Sequence, residues 1–171
     1  MVCCTCKSKT ASALLLMGIF ILMTSWLTGC QSFGQRDMGR LVPDYNRVAI
    51  PSEETSAHTL KTNDMTVQYQ CQRAGDQLKV WGSGDIRYDS IDELTFHLYF
   101  IDGRGEVISI KNFFSYADHS DFIELNFARR QFHRDFTIPA GAVAFAIGYD
   151  GSTFPEIGMP SITFMYYPFD E

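Results

Sequence analysis

The sequence predicts an all-β domain, an antiparallel sandwich of about eight short strands behind a non-globular N-terminus. Three observations predict it. From residue 65 onward, apolar and polar residues alternate with period two. Turns rich in Gly, Pro and Asp interrupt the alternation about every ten residues. No segment of that region carries apolar residues at helical spacing.

The strands follow in order. Val67, Tyr69 and Cys71 alternate with Gln68, Gln70 and Gln72, and Ala74-Gly75-Asp76 reads as a hairpin turn. Leu78, Val80 and Trp81 open the next strand, in which Gly82-Ser83-Gly84 predicts a bulge or bend. Leu94, Phe96, Leu98 and Phe100 share one face of a third strand, which enters the loop Asp102-Gly103-Arg104-Gly105. Residues 106–113 return. Asp118-His119-Ser120-Asp121 is a polar turn, and residues 122–127 place Ile123, Leu125 and Phe127 together. Residues 132–138 alternate again before the turn Pro139-Ala140-Gly141. Val143, Phe145, Ile147 and Tyr149 then share a face, and a final strand over 161–167 is expected to bury Ile162, Phe164 and Tyr166 while exposing Met165 and Tyr167. Strands joined by short turns pair antiparallel, and two sheets face to face bury these alternating positions. A span of about 105 residues fits an immunoglobulin-like or fibronectin-type-III-like sandwich. A small closed β-barrel is the alternative.

The N-terminus has another character. Lys7 and Lys9 precede residues 11–27, which carry no charge and are dominated by Leu, Ile, Met, Phe and Ala. This is the layout of a secretory signal. An uncleaved membrane anchor, with Trp26 at the interface, is the competing reading. The apolar run ends in Leu27-Thr28-Gly29-Cys30, which resembles the lipobox of bacterial lipoproteins. That resemblance implies cleavage before Cys30, diacylglycerol on its sulfur and a further acyl chain on its amino group. Gln31, where an Asp would retain the protein at the inner membrane, implies the periplasmic face of the outer membrane. The expected organisation is a signal peptide over 1–29, a lipidated N-terminus and flexible tether over 30–61, and a β-sandwich over 62–171. Residues 31–61 are polar and irregular, although Leu41-Val42 and residues 45–50 are apolar enough to dock on the domain or add an edge strand.

A second resemblance rests on Phe96-His97-Leu98-Tyr99-Phe100-Ile101-Asp102-Gly103-Arg104-Gly105-Glu106-Val107-Ile108 and on Ile138-Pro139-Ala140-Gly141. These are similar to the strand-turn-strand core and the Pro-Gly turn of small bacterial envelope sandwich domains. They imply a fold and an envelope role without an activity.

The whole chain has a formal charge of −6. Cleavage before Cys30 would keep 12 of the 14 basic and all 20 acidic residues, a net charge of −8. An acidic balance argues against nucleic acid as a partner and against electrostatic docking on anionic lipid. Cys3, Cys4 and Cys6 leave with the signal, so Cys71 is the remaining free thiol and no disulfide can form within the mature chain. Its position beside Val67 and Tyr69 predicts a buried small hydrophobe.

Chemistry is sparse. His58, His97, His119 and His133 lack helix-borne metal spacing. The Asp118-His119-Ser120-Asp121 turn offers three potential ligands, but turns recruit Asp and Ser for backbone hydrogen bonds in any case. His97 and His133 could meet if their strands pair. Gly82-Ser83-Gly84 lacks the spacing of a nucleophile elbow. Arg129, Arg130 and Arg134 form the one basic cluster. The aromatic C-terminus, with Met165 and Tyr167 outward, could receive a peptide at the sheet edge.

The expected function is that of a membrane-anchored envelope lipoprotein, held in the bilayer through acylated Cys30. It would serve as a non-catalytic binding or accessory subunit of an envelope complex, with an envelope protein as partner. No catalytic residue, cofactor or metal is assigned. The alternatives are a pilot-type lipoprotein carrying a peptide or ligand, and a small metal-dependent hydrolase using His97, His119 or His133.

Overall fold

A computed structural model of the chain describes residues 36–88, 90–117, 130–155 and 160–169. Nine strands lie among them: β1 (Val48–Ala49), β2 (Ser56–Lys61), β3 (Met65–Ala74), β4 (Gln77–Ile86), β5 (Glu93–Ile101), β6 (Val107–Ala117), β7 (Arg130–Thr137), β8 (Ala144–Ser152) and β9 (Thr163–Tyr166). They form two antiparallel sheets. One has the order β2-β3-β4-β7. The other has the order β8-β5-β6, with β1 and β9 sharing the far edge of β8. The sheets stay separate, so the molecule is a sandwich and not the alternative barrel. Counted from β3, the first, second and fifth strands share one sheet and the third, fourth, sixth and seventh share the other, so the chain crosses repeatedly between the two layers.

Alternation explains the core. Leu94, Phe96, Leu98 and Phe100 of β5 are buried, as are Phe145, Ile147 and Tyr149 of β8. They meet Val67, Tyr69, Cys71, Leu78, Val80, Phe132 and Phe136 of the opposite sheet. Aromatic rings join the two layers. Phe113 lies 5.5 Å from Phe96, 5.2 Å from Phe132 and 5.6 Å from Phe136, centroid to centroid, the last two edge-on. At one end the Tyr149 hydroxyl bonds Thr62 and reaches Asp64, which also accepts the Tyr88 hydroxyl at 2.7 Å.

A second apolar cluster covers the outside of the larger sheet. Tyr99 and Ile101 of β5, Val107 of β6, and Ala144 and Ala146 of β8 pack there with Val42 and Phe169. Val42 is completely buried. Its amide bonds Gly105 O at 2.9 Å, and Gly39 N bonds Val107 O at 2.8 Å. Arg40 stacks over Phe169 at 3.9 Å, and the Asn46 amide donates to Pro168 O. Gly148 of β8 makes room for this cover. A Cβ there would sit 2.8 Å from Tyr166 O and 3.0 Å from the Tyr99 ring.

These contacts correct the domain boundary. Residues 37–61, expected to be tether, belong to the same compact unit as the rest of the sandwich. β1 pairs with β8, and β2 pairs with β3 over six residues from Ser56↔Cys71 to Lys61↔Thr66. The reason is tertiary. Val42 finds its partners far along the chain, at Gly105 and Phe169, whereas β2 is the hairpin neighbour of β3 and is held by that ladder.

Three smaller expectations also change. No bulge occurs at Gly82-Ser83-Gly84, since β3 and β4 run in unbroken register. Gly82 instead permits close approach, because a Cβ there would lie 2.7 Å from the Tyr69 Cα. The bulges fall between β5 and β6, at Phe96/His97 and Phe100/Ile101. Val143 and Ile162 have core parity but are 54% and 48% exposed, because both lie just outside β8 and β9. Phe164 is buried and Met165 exposed, as expected. Tyr167 is half-buried against the outer cluster. The expected turn at 118–121 and strand at 122–127 lie outside the described residues.

Two measurements check this account. A chain beginning at residue 62 should lose cooperative urea unfolding, whereas one beginning at residue 37 should keep it. Loss of Val42 and the β2 ladder removes an amount comparable with a domain's whole stability, about 5–15 kcal/mol. Gly148→Val should destabilise by about 1–3 kcal/mol through overpacking, seen as a lower thermal midpoint. Gly103→Ala, which meets open space, should leave the midpoint unchanged.

Candidate functional site

The outside of the β2-β3-β4-β7 sheet forms an open trough of about 910 Å3. Sheet register builds it. Ala57, Gln70, Trp81 and His133 are successive cross-strand partners and form one row across all four strands. Thr59, Gln68, Ser83 and Gln131 form the next row in the same way. Gln72 and Lys79 continue on the other side. All share one face because they lie two residues apart along their strands.

Parity explains the side chains. Leu78 and Val80 point inward, so Trp81 must point outward into the trough, where it is partly buried. Its ring lies 6.3 Å from that of His133, tilted by 56°. Gln72 donates to Glu53 O at 3.0 Å. The amides of Gln68, Gln70 and Gln131 make no hydrogen bond to another described residue, so each presents a donor and an acceptor to solvent. Among the described residues, the trough lining contains no carboxylate, in a chain with 20 acidic residues. Asp135, the cross-strand partner of Lys79, borders this lining, with Oδ1 3.5 Å from His133 Nε2. The arrangement is a flat aromatic platform bordered by neutral amides and hydroxyls, suited to recognition.

No known protein family, curated protein or solved structure matches this chain.

The residues singled out by sequence separate in space. Cys30 and His119 lie outside the described residues. His97 sits on the outside of the other sheet, where Nδ1 is 2.8 Å from Asn112 Oδ1 and Nε2 pairs with Asp150. It cannot meet His133, because β5 and β7 belong to different sheets. Among the described residues, no group of three or more His, Cys, Asp or Glu is placed to hold a metal ion. Arg134 donates to Phe113 O at 3.1 Å and so braces the two sheets. Arg129 is outside the described residues.

Cys71 is buried as expected, and its sulfur lies 3.0 Å from Ser56 Oγ, which is 3.0 Å from His58 Nε2. Burial pushes the thiol up, against a smaller opposing effect of the Ser56 hydroxyl. The sulfur therefore stays a protonated, inert thiol. The His58 ring stacks on Tyr69 at 5.4 Å.

Alternation alone assigns Gln68, Gln70 and Gln72 to solvent without saying what stands beside them. The signal that marks the site is Trp81, a large aromatic out of phase with Leu78 and Val80.

Burial holds the His58 imidazole below its ordinary value of 6.5. The unfolded chain then binds the proton more readily, so this contribution to stability is full above pH 6.5 and is lost as pH falls below it. The decline in thermal midpoint on acidification through this range should be smaller in His58→Gln than in the parent. An identical decline in both would remove His58 from the account.

Proposed function

We propose that the chain is a bacterial envelope lipoprotein whose sandwich is a non-catalytic binding module, held at the periplasmic face of the outer membrane by acylated Cys30. The observation that carries this reading is the charge-free run ending in Leu27-Thr28-Gly29-Cys30, followed at once by polar sequence. Several acyl chains, at ~0.8 kcal/mol per buried methylene, hold a protein far more firmly than one.

The revised boundary supports close tethering. From Cys30 to Asp37 the chain can span at most about 25 Å. A tether reaching to residue 61 would have allowed about 100 Å. The domain is therefore presented next to the bilayer, and its open trough is the surface offered to a partner.

Palmitate labelling and fractionation test the anchor. The parent should carry label and sediment with outer membranes, and Cys30→Ala should lose the label. Mass spectrometry showing an intact Met1 with an unmodified Cys30 would remove this reading.

A further inference from the structure

The geometry points to a ligand class for the trough: an uncharged saccharide chain lying across the four strands, its ring face against Trp81. The inference rests on the reading of this face as the binding surface and supplies its chemistry.

The two outer sheet faces are treated differently. The larger sheet is covered by its own chain, with Val42 and Phe169 closing over Tyr99, Ile101 and Ala146. Among the described residues, no segment covers the outer face of the smaller sheet, and a partly buried Trp lies in its trough. Around it stand Gln70 and His133 in the same row, Gln68, Ser83 and Gln131 in the next, and Lys79 two residues back along β4.

Each feature matches a sugar. A pyranose presents one C–H-rich face to an aromatic ring and a rim of hydroxyls, each both donor and acceptor. An indole supplies the first contact, and side-chain amides, each with two donors and an acceptor, supply the second. Among the described residues, the Gln68, Gln70 and Gln131 amides have no partner to give up on binding. A single Lys79 is too little charge for a polyphosphate track, so nucleic acid does not fit. Three strand spacings give a trough about 14 Å wide, room for more than one ring.

The chain has two tryptophans, Trp26 and Trp81, and cleavage before Cys30 would remove Trp26 and leave Trp81 emission to read the trough directly; in an uncleaved chain the difference between the parent and Trp81→Phe isolates it. The purified acylated protein, in a detergent without a sugar headgroup, is titrated with the tetramer of β-1,4-linked N-acetylglucosamine and with that of β-1,4-linked glucose. A saturable change in Trp81 emission with at least one of them is expected. Calorimetry on variants completes the test. Trp81→Ala should weaken binding about tenfold or more, and Trp81→Phe should restore part of it. Gln70→Ala and Gln131→Ala, at exposed positions, should weaken binding several-fold with thermal midpoints unchanged. No saturable response to either tetramer, or equal binding by all variants, would overturn the inference. The lipid on Cys30 is read separately by mass. A lipidated protein that ignores both sugars contradicts this inference alone, and a sugar-binding protein without lipid contradicts the anchor alone.

Discussion

The structure depends on burial of β5 on both of its faces. Leu94, Phe96, Leu98 and Phe100 fill the space between the sheets, while Tyr99 and Ile101 load the opposite side with apolar surface. A strand of that kind cannot stand at a half-solvated sheet. It needs a second cover, and the chain supplies one from both of its ends. Val42 comes from the N-terminal side and Phe169 from the C-terminal side. Gly148, Ala144 and Ala146 keep β8 low enough for them to settle. Among the described residues, that cover lies on one sheet, and Trp81 stands on the outer face of the other.

This arrangement ties fold to placement. Residues that could have been a long leash are used as packing, so the distance from Cys30 to the domain shrinks to a few residues. Under the lipoprotein reading, the module works beside the membrane and reaches material that lies close to it. The trough is backed by the core of the sandwich. Gln70 and Trp81 sit on strands whose alternate residues, Tyr69, Cys71 and Val80, are core. A recognition surface built on regular strands, with its side chains in fixed rows, needs little reordering when it binds.

Much of this was legible in the sequence, for local reasons. The faces of β5 and β8 follow from strict alternation. The hairpin turns at Gly75 and Gly105 follow from residues that tolerate the positive φ found there, 64° and 88°. Burial of Cys71 follows from its phase with Val67 and Tyr69. What was not legible depended on contacts between distant segments. β1 is two residues long and Leu41 makes a single bridge to Glu106, so neither has a period to detect. The parity of Val143 and Ile162 was right for core, but both lie where the strands run out. At the site, the outward row of Gln68, Gln70 and Gln72 could be read, yet its neighbours could not. Only the pairing of β4 with β7 puts Trp81 beside His133 and Gln131 next to it.

The central claim is that residues 37–61 are structural, closing the outside of the larger sheet and widening the smaller one. Hydrogen exchange tests it most directly. The account predicts slow exchange at the amides of Gly39 and Val42, which bond Val107 O and Gly105 O, and along the β2 strand. Exchange through residues 37–61 at the rate of an unstructured chain, beside a protected β5, would contradict it.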